Sequence, residues 1–240
     1  MRRALTLAAL ALTGAGCVSA ARAPDRATLI RGILASTVQL RSERDGTIRR
    51  AASGVVVATA RGSPRAWIIT ARHFIDPSPP EHIYVRLAGR MSVVPGVVAF
   101  ISPDRDLAII EAELSDVAPA RLKTESSLGD EILIVAFPWG QRFTVVRGIV
   151  SQVASITDIS GPARMVSASV SYGSSGGGVF DANTGELLGI VEGYRIAKVV
   201  IPEMKERVLE VPVAGETTMI SSSAIFRFLA DSGLGDLLAR

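Results

Sequence analysis

Apolar positions along this chain change their spacing after the first few dozen residues. Leu29, Ile30, Ile33 and Leu34 recur at helical intervals behind Asp25, which stands beyond Pro24 as an N-cap, so a short helix is predicted over residues 27–35. From there the pattern turns to short runs rich in Val and Ile, bounded by Gly, Pro, Asp and Ser. Residues 36–41, SGVVVAT (53–59), AWIIT (66–70), HIYVRL (82–87), SVVPGVVAFI (92–101) and DLAIIEAE (106–113) read as six strands, enough for one barrel over about 36–115. The polar stretch LKTESSLG (122–129) reads as a linker. Beyond it EILIVAFP, RFTVVRGIVSQVA, ARMVSASV, GVFD, ELLGIVEGY and TMISSSA supply a second set over about 128–225. Residues 196–216, with alternating Val/Ile and charges, are predicted to form an exposed hairpin or loop. SSSAIFRFLADSGLGDLL closes the sequence as an amphipathic helix over about 222–232, capped by serines and stopped at Gly233. The expectation is an all-β chain of two packed six-stranded barrels with short N- and C-terminal helices.

Composition fits this picture. Hydrophobic residues make up 48% and charged residues 20% of the 240, a balance that can bury a core rather than leave a disordered chain. The net charge is +3, but no run of five or six basic residues occurs, so no nucleic-acid footprint is read.

The N-terminus stands apart. MRRALTLAALALTGAGCVSAARA has Arg2 and Arg3, an apolar stretch from Ala4 to Leu12, and then small residues, which reads as an export signal over residues 1–23. The apolar stretch is shorter than the roughly 20 residues a permanent membrane helix needs. Cys17, the only cysteine, sits where the small residues end. The segment Leu12-Thr13-Gly14-Ala15-Gly16-Cys17 resembles the lipobox of bacterial lipoproteins, with Gly14 where Leu is usual. The alternative is ordinary cleavage after Ala20. Either route leaves a mature body with no disulfide.

Chemistry concentrates in SYGSSGGGVF (171–180), where two serines lie among glycines between two strand patterns. Such glycines permit positive φ and close backbone approach to a bound group. A serine that attacks a carbonyl needs a base, a group to orient that base, and donors for the oxyanion. Of the two histidines, His73 follows AWIIT and opens a proline-rich loop, so it can face a cleft. His82 alternates with buried positions of its strand and is predicted to face solvent. Asp104 and Asp106 both precede the run Leu107-Ala108-Ile109-Ile110; Asp106 abuts the strand, and Asp104 suits a turn after Pro103. Two scattered histidines without Cys pairs or an HExxH motif supply no recognisable metal set.

These blocks, in order, resemble trypsin-like serine proteases, especially the bacterial HtrA (Deg) type. AASGVVVATARGSPRAWIITARHF is similar to that family's histidine region, Asp106-Leu107-Ala108 to its D-L-A block, GDEILIVAFPWGQRFTVVRGIVSQV to its G-x-P-x-G stretch, and GSSGGGVFDANTGELLGI to its G-N-S-G-G region. Ser174 stands where Asn is usual, Gly178 where Pro or Ala is, and Phe74 where Val is. The resemblance implies the chymotrypsin fold and a triad of Ser175, His73 and Asp106. It further implies oxyanion donors at the Gly173 and Ser175 amides and a primary pocket near Ser169, Val191 and Gly193, uncharged and suited to small or medium apolar side chains. It implies no cofactor and protein or peptide substrates. No PDZ domain is expected within residues 24–240, because the residues after Gly189 are needed to finish the second barrel, and oligomeric state stays open. Two readings follow: an exported serine endopeptidase of the cell envelope or periplasm, with a possible lipid anchor to the membrane, or a catalytically weak or inactive module of the same fold that binds peptides.

The signal predicts a mature protein that begins at Cys17 with diacylglycerol on its sulfur; each buried CH₂ of the chains adds about 0.8 kcal/mol of membrane affinity. Intact-mass analysis of the membrane fraction should find the lipid, and a mature terminus at Ala21 would overturn it.

Overall fold

Why the strands read as unbroken apolar runs becomes plain once both of their faces are followed. In a computed structural model, which describes residues 25–76, 80–200 and 208–238, a lead-in helix α1 (Arg26–Leu34) precedes β1 (Thr37–Arg44), β2 (Thr47–Thr59), β3 (Arg65–Thr70), β4 (His82–Leu87), β5 (Val94–Ile101) and β6 (Ala108–Glu113). These six pair antiparallel into a closed barrel in the order β1-β2-β3-β6-β5-β4. The second half runs β7 (Ser126–Ser127), β8 (Glu131–Ala136), β9 (Thr144–Val153), β10 (Ser160–Gly161), β11 (Ala163–Val166), β12 (Gly178–Asp181), β13 (Leu187–Val200), β14 (Val208–Ser221) and α2 (Ser222–Asp231). Its barrel closes as β11-β14-β13-β12-β8-β9, while β7 and β10 form a small separate ribbon. The expected two barrels with short terminal helices are borne out.

Alternation along each strand divides its side chains between two cores. Val56 and Ile68 point into the first barrel, with Leu40, Val85 and Ile110. Their neighbours Val55, Val57, Trp67, Ile69 and Ile109 point outward into a third cluster, where they meet Leu133, Val135, Phe180, Leu187 and Ile190 of the second barrel. That second barrel keeps Ile132, Ile134, Val179 and Leu188 for its own interior. A strand buried on both faces has no polar side to alternate with, which gives the continuous pattern. The shared cluster also takes Leu29 and Ile33 of α1 and Ile225 and Leu229 of α2, so both helices fasten across the barrel junction.

Several expectations are corrected. Only Ala163–Val166 of ARMVSASV pairs as strand; residues 167–177 are occupied by turns and connections. The stretch read as a linker is pinned to the second barrel: Leu122 bridges Leu187, and Ser126 and Ser127 pair with β10. At the helix starts, neither Asp25 nor Ser221 makes a side-chain cap; the Ser221 hydroxyl instead meets the Ser223 hydroxyl at 2.9 Å. The predicted exposed hairpin, by contrast, is present, built as an extension of β13 and β14, which stay paired as far as Val200 and Val208. Its residues 201–207, and the export segment with Cys17, lie outside the described residues.

One ion pair fixes the start of the second barrel. Asp181 has 6% of its side chain exposed, takes the Lys123 ammonium at 2.5 Å and accepts the Asn183 and Thr184 amides at 2.8 and 3.0 Å. Burial alone would push this carboxyl up, but the ammonium and the two amides outweigh it and hold it below the ordinary carboxylate range. A depressed folded-state value contributes stability above the unfolded-state value, about pH 4, that is lost as pH falls through the folded one. Lys123→Met leaves a buried carboxylate short of its cation and is expected to cost about 3 kcal/mol at pH 7. In urea unfolding, the gap between parent and variant should narrow on acidification below about pH 4.

Candidate active site

The His73 side chain is placed by a single 3-10 turn, Arg72–Phe74, directly after β3. Phe74 is buried in the first barrel's core and anchors the turn, while His73 keeps 51% of its side chain exposed. Asp106 precedes β6, which pairs with β3 through Thr70 and Ala108. That pairing brings carboxylate and imidazole together. Asp106 Oδ2 lies 2.6 Å from His73 Nδ1, and Oδ1 accepts the His73 backbone amide at 2.7 Å. An ionised carboxylate can only accept, so Nδ1 carries the proton and Nε2 presents its lone pair to the cleft. Two guanidinium groups fix the turn, Arg50 from β2 and Arg72 from the turn itself. Arg50 donates to the carbonyls of His73 (2.7 Å), Phe74 (3.5 Å) and Asp76, and Arg72 donates to the Ser102 carbonyl at 2.9 Å while pairing with Asp76 at 3.1 Å.

The serine loop approaches from the other barrel. Gly173 (φ 87°) and Gly176 (φ 78°) both take the left-handed conformation that disfavours side chains. A Cβ at Gly173 would lie 2.8 Å from the Phe137 carbonyl oxygen, and one at Gly176 would overlap the Ser53 carbonyl oxygen and the Thr70 hydroxyl. Gly176 therefore lets the loop press against Thr70, three residues before His73. Among the described residues, the Gly173 and Ser175 amides donate no hydrogen bond within the chain, and the Ser175 hydroxyl makes none, to His73 or elsewhere. Two unpartnered amides beside a half-buried hydroxyl can receive an anionic oxygen.

Ser53 joins the halves. Fully buried in β2, its hydroxyl donates to the Gly173 carbonyl and accepts the Phe137 amide, both at 2.8 Å. Its own amide donates to the Ser175 carbonyl at 2.8 Å, and its carbonyl accepts the Thr70 hydroxyl at 2.8 Å. In the sequence Ser53 stands only as the opening of an apolar strand. The available signal was a lone hydroxyl at the head of GVVVA, where a buried polar group must find partners. Arg50 gave no such signal.

The other expected residues fall as follows. His82 is exposed, as predicted, and stands beside the Tyr84 ring. Asp104 is exposed; the Ser102 hydroxyl donates to it at 2.9 Å and accepts the Arg105 amide at 3.3 Å, so Ser102 rather than Asp104 organises the turn. Ser174 is 2% exposed with its oxygen 3.4 Å from the Ser171 amide, turned into the protein. Val191 is buried and exchanges hydrogen bonds with Gly176 and Gly177, at 2.8 Å each, and Gly193 follows a bulge in β13. Ser169 is exposed. A cavity of about 370 Å³ opens beside Asp106, bounded by Arg164, Glu192, Met219 and Arg227.

Comparison with known proteins agrees with this architecture. A solved serine endoprotease from Yersinia pestis superposes with a TM-score of 0.67 at 20% sequence identity, over 87% of this chain and 66% of that one. At that identity the likeness concerns the fold, and the chain spans just under two thirds of that protein's length. A family profile described as a trypsin-like peptidase domain matches residues 52–190, which take in His73, Asp106 and Ser175. The sequence blocks of HtrA type had pointed the same way, and the chain belongs to the trypsin-like peptidase domain family.

Proposed function

We propose that this chain is an exported serine endopeptidase that cleaves protein or peptide bonds through an acyl-enzyme. The observation that carries the reading is the His73–Asp106 pair at 2.6 Å, set across the barrel junction from the loop with the unpartnered Gly173 and Ser175 amides. Ser175 Oγ attacks the scissile carbonyl while His73 Nε2 takes its proton. Asp106 fixes the imidazole's tautomer and favours the imidazolium that forms. The carbonyl oxygen becomes an alkoxide against the two amides, and collapse of the adduct returns the proton from His73 to the leaving amine. Water, deprotonated by His73, then releases the acyl group and regenerates Ser175. Ser169, Val191 and Gly193 are assigned to the pocket for the side chain before the cut. Nothing charged stands among these three, which suits small or medium apolar residues. Export and a Cys17 anchor in the cell envelope belong to the same proposal.

A second reading, a peptide-binding module with little or no turnover, is favoured by one observation: the Ser175 hydroxyl makes no bond to His73 among the described residues. Catalytic hydrogen bonds in unliganded sites are commonly long and tighten when substrate binds.

A fluorophosphonate probe separates the two. It should label the mature protein on Ser175, and Ser175→Ala should abolish labelling and cut turnover by several orders of magnitude. His73→Ala should cost about as much and Asp106→Ala somewhat less. Labelling on Ser174 would overturn the assignment of the nucleophile and its loop, and no labelling in the parent would remove the protease reading. Ser53→Ala strips a partner from the buried Phe137 amide and Gly173 carbonyl, each worth about 1–3 kcal/mol when left unsatisfied. Labelling by that variant should slow by about ten- to a hundredfold, measured at a temperature where calorimetry finds it folded; a rate equal to the parent's would show that the hydroxyl does not hold the loop.

A further inference from the structure

Beside the Gly173 amide two large aromatic side chains stand in solvent. Trp139 is 65% and Tyr172 48% exposed, and their rings stack at 5.4 Å between centroids with a 38° tilt. Trp139 occupies φ 55°, ψ 18°, a left-handed conformation rare for a bulky residue and sustained only where surroundings enforce it. The surroundings do so. The Trp139 amide donates to the Tyr172 carbonyl at 2.7 Å. The carbonyls that follow are clamped from the first barrel: Gly140 by Gln39 (2.8 Å) and Arg41 (2.9 Å), and Gln141 by Gln39 (3.0 Å). This backbone also abuts the serine loop, since a Cβ on Gly173 would lie 2.8 Å from the Trp139 nitrogen. The fold thus spends strain and four hydrogen bonds to hold an indole outward, although burial of that ring elsewhere would be favourable.

We propose that Trp139 and Tyr172 form an aromatic shelf that selects an apolar, preferably aromatic, residue immediately after the scissile bond. This rests on the protease reading above and adds the specificity of its leaving-group side. The side is set by the two ends of the serine loop. Gly176 and Gly177 bond to Val191, and the protease reading assigns Val191 and Gly193 to the residue before the cut, which puts the acyl half at that end of the loop. Gly173, at the other end, packs on the turn that carries Trp139, so the departing half must cross the two rings. A substrate ring laid on them would gain offset or edge contacts and cover apolar surface now facing water.

Proteome-derived or casein peptides digested by the protein and sequenced by mass spectrometry give the residues on both sides of each cut. Phe, Tyr, Trp and Leu should be enriched directly after the cut. Trp139→Ala should flatten that preference while the profile before the cut keeps its shape, and Trp139→Phe should restore it. For a peptide with Phe after the cut, the ratio of kcat/KM to the rate of fluorophosphonate labelling should fall about tenfold in Trp139→Ala, because the probe carries no peptide leaving group. An equal fall in both rates would overturn the proposal, as would an unaltered profile; either would make the pair a support of the serine loop. If the parent is never labelled, the protease reading fails, and tryptophan emission decides the shelf alone. Trp67 is buried, so the response to N-acetyl-phenylalaninamide reports Trp139. A saturable change absent with N-acetyl-alaninamide would uphold an aromatic-binding shelf, and identical responses would overturn it.

Discussion

The Ser53 hydroxyl bonds two backbone segments that would otherwise meet as bare polar groups inside an apolar junction. Phe137 donates to it and Gly173 accepts from it, and all three residues are buried, so the angle at which the second barrel presents its serine loop is tied to a residue of the first. The Ser53 amide and carbonyl extend the tie to Ser175 and Thr70, and Thr70 stands one turn before His73. A low local dielectric makes each of these bonds costly to lose and therefore sharp in geometry. The site is a consequence of docking as much as of its own residues.

Around that tie, apolar packing sets position and polar contacts set orientation. The shared cluster of Val55, Ile69, Ile109, Val135, Phe180 and Ile190 presses the barrels together without directional preference. Direction comes from groups at its edge: Arg50 and Arg72 gather the carbonyls around the His73 turn, Asp106 takes both a ring nitrogen and an amide of His73, and Gln39 and Arg41 hold the turn of Trp139. Charged side chains are thereby used chiefly on backbone carbonyls. Loops that project catalytic groups stay fixed even though they lack ladder partners of their own.

The aromatic shelf belongs to the same scheme. Trp139 sits in a strained conformation whose maintenance draws on both barrels, and Tyr172 directly precedes Gly173, whose amide donates no hydrogen bond among the described residues. A leaving-side contact built onto the oxyanion loop would couple binding of the departing peptide to the order of that loop, which is where binding energy raises turnover rather than affinity alone.

Much of this was legible in the chain itself. Val/Ile runs broken by Gly, Pro and Asp specify strands, because period and β-branching act locally, and the order His73, Asp106, Gly-Ser-Ser-Gly supplies the candidate residues on which the proposed chemistry rests. Where reading failed, the cause was distance along the chain. The strand in ARMVSASV ends at Val166, with only Met165 and Val166 partnered on β14; the missing helix caps are instead a local matter, Ser221 turning its hydroxyl to Ser223 two residues on and Asp25 making no side-chain cap. Nothing local to Ser53 announces that Phe137 and Gly173, 84 and 120 residues away, will close on it, nor does Trp139 reveal that Gln39 and Arg41 will hold its turn. Strands, helices and candidate reactive residues can be read along the chain because they depend on near neighbours. Which buried polar groups meet and which side chains stay outside depends on how the two barrels dock, and no local pattern carries that.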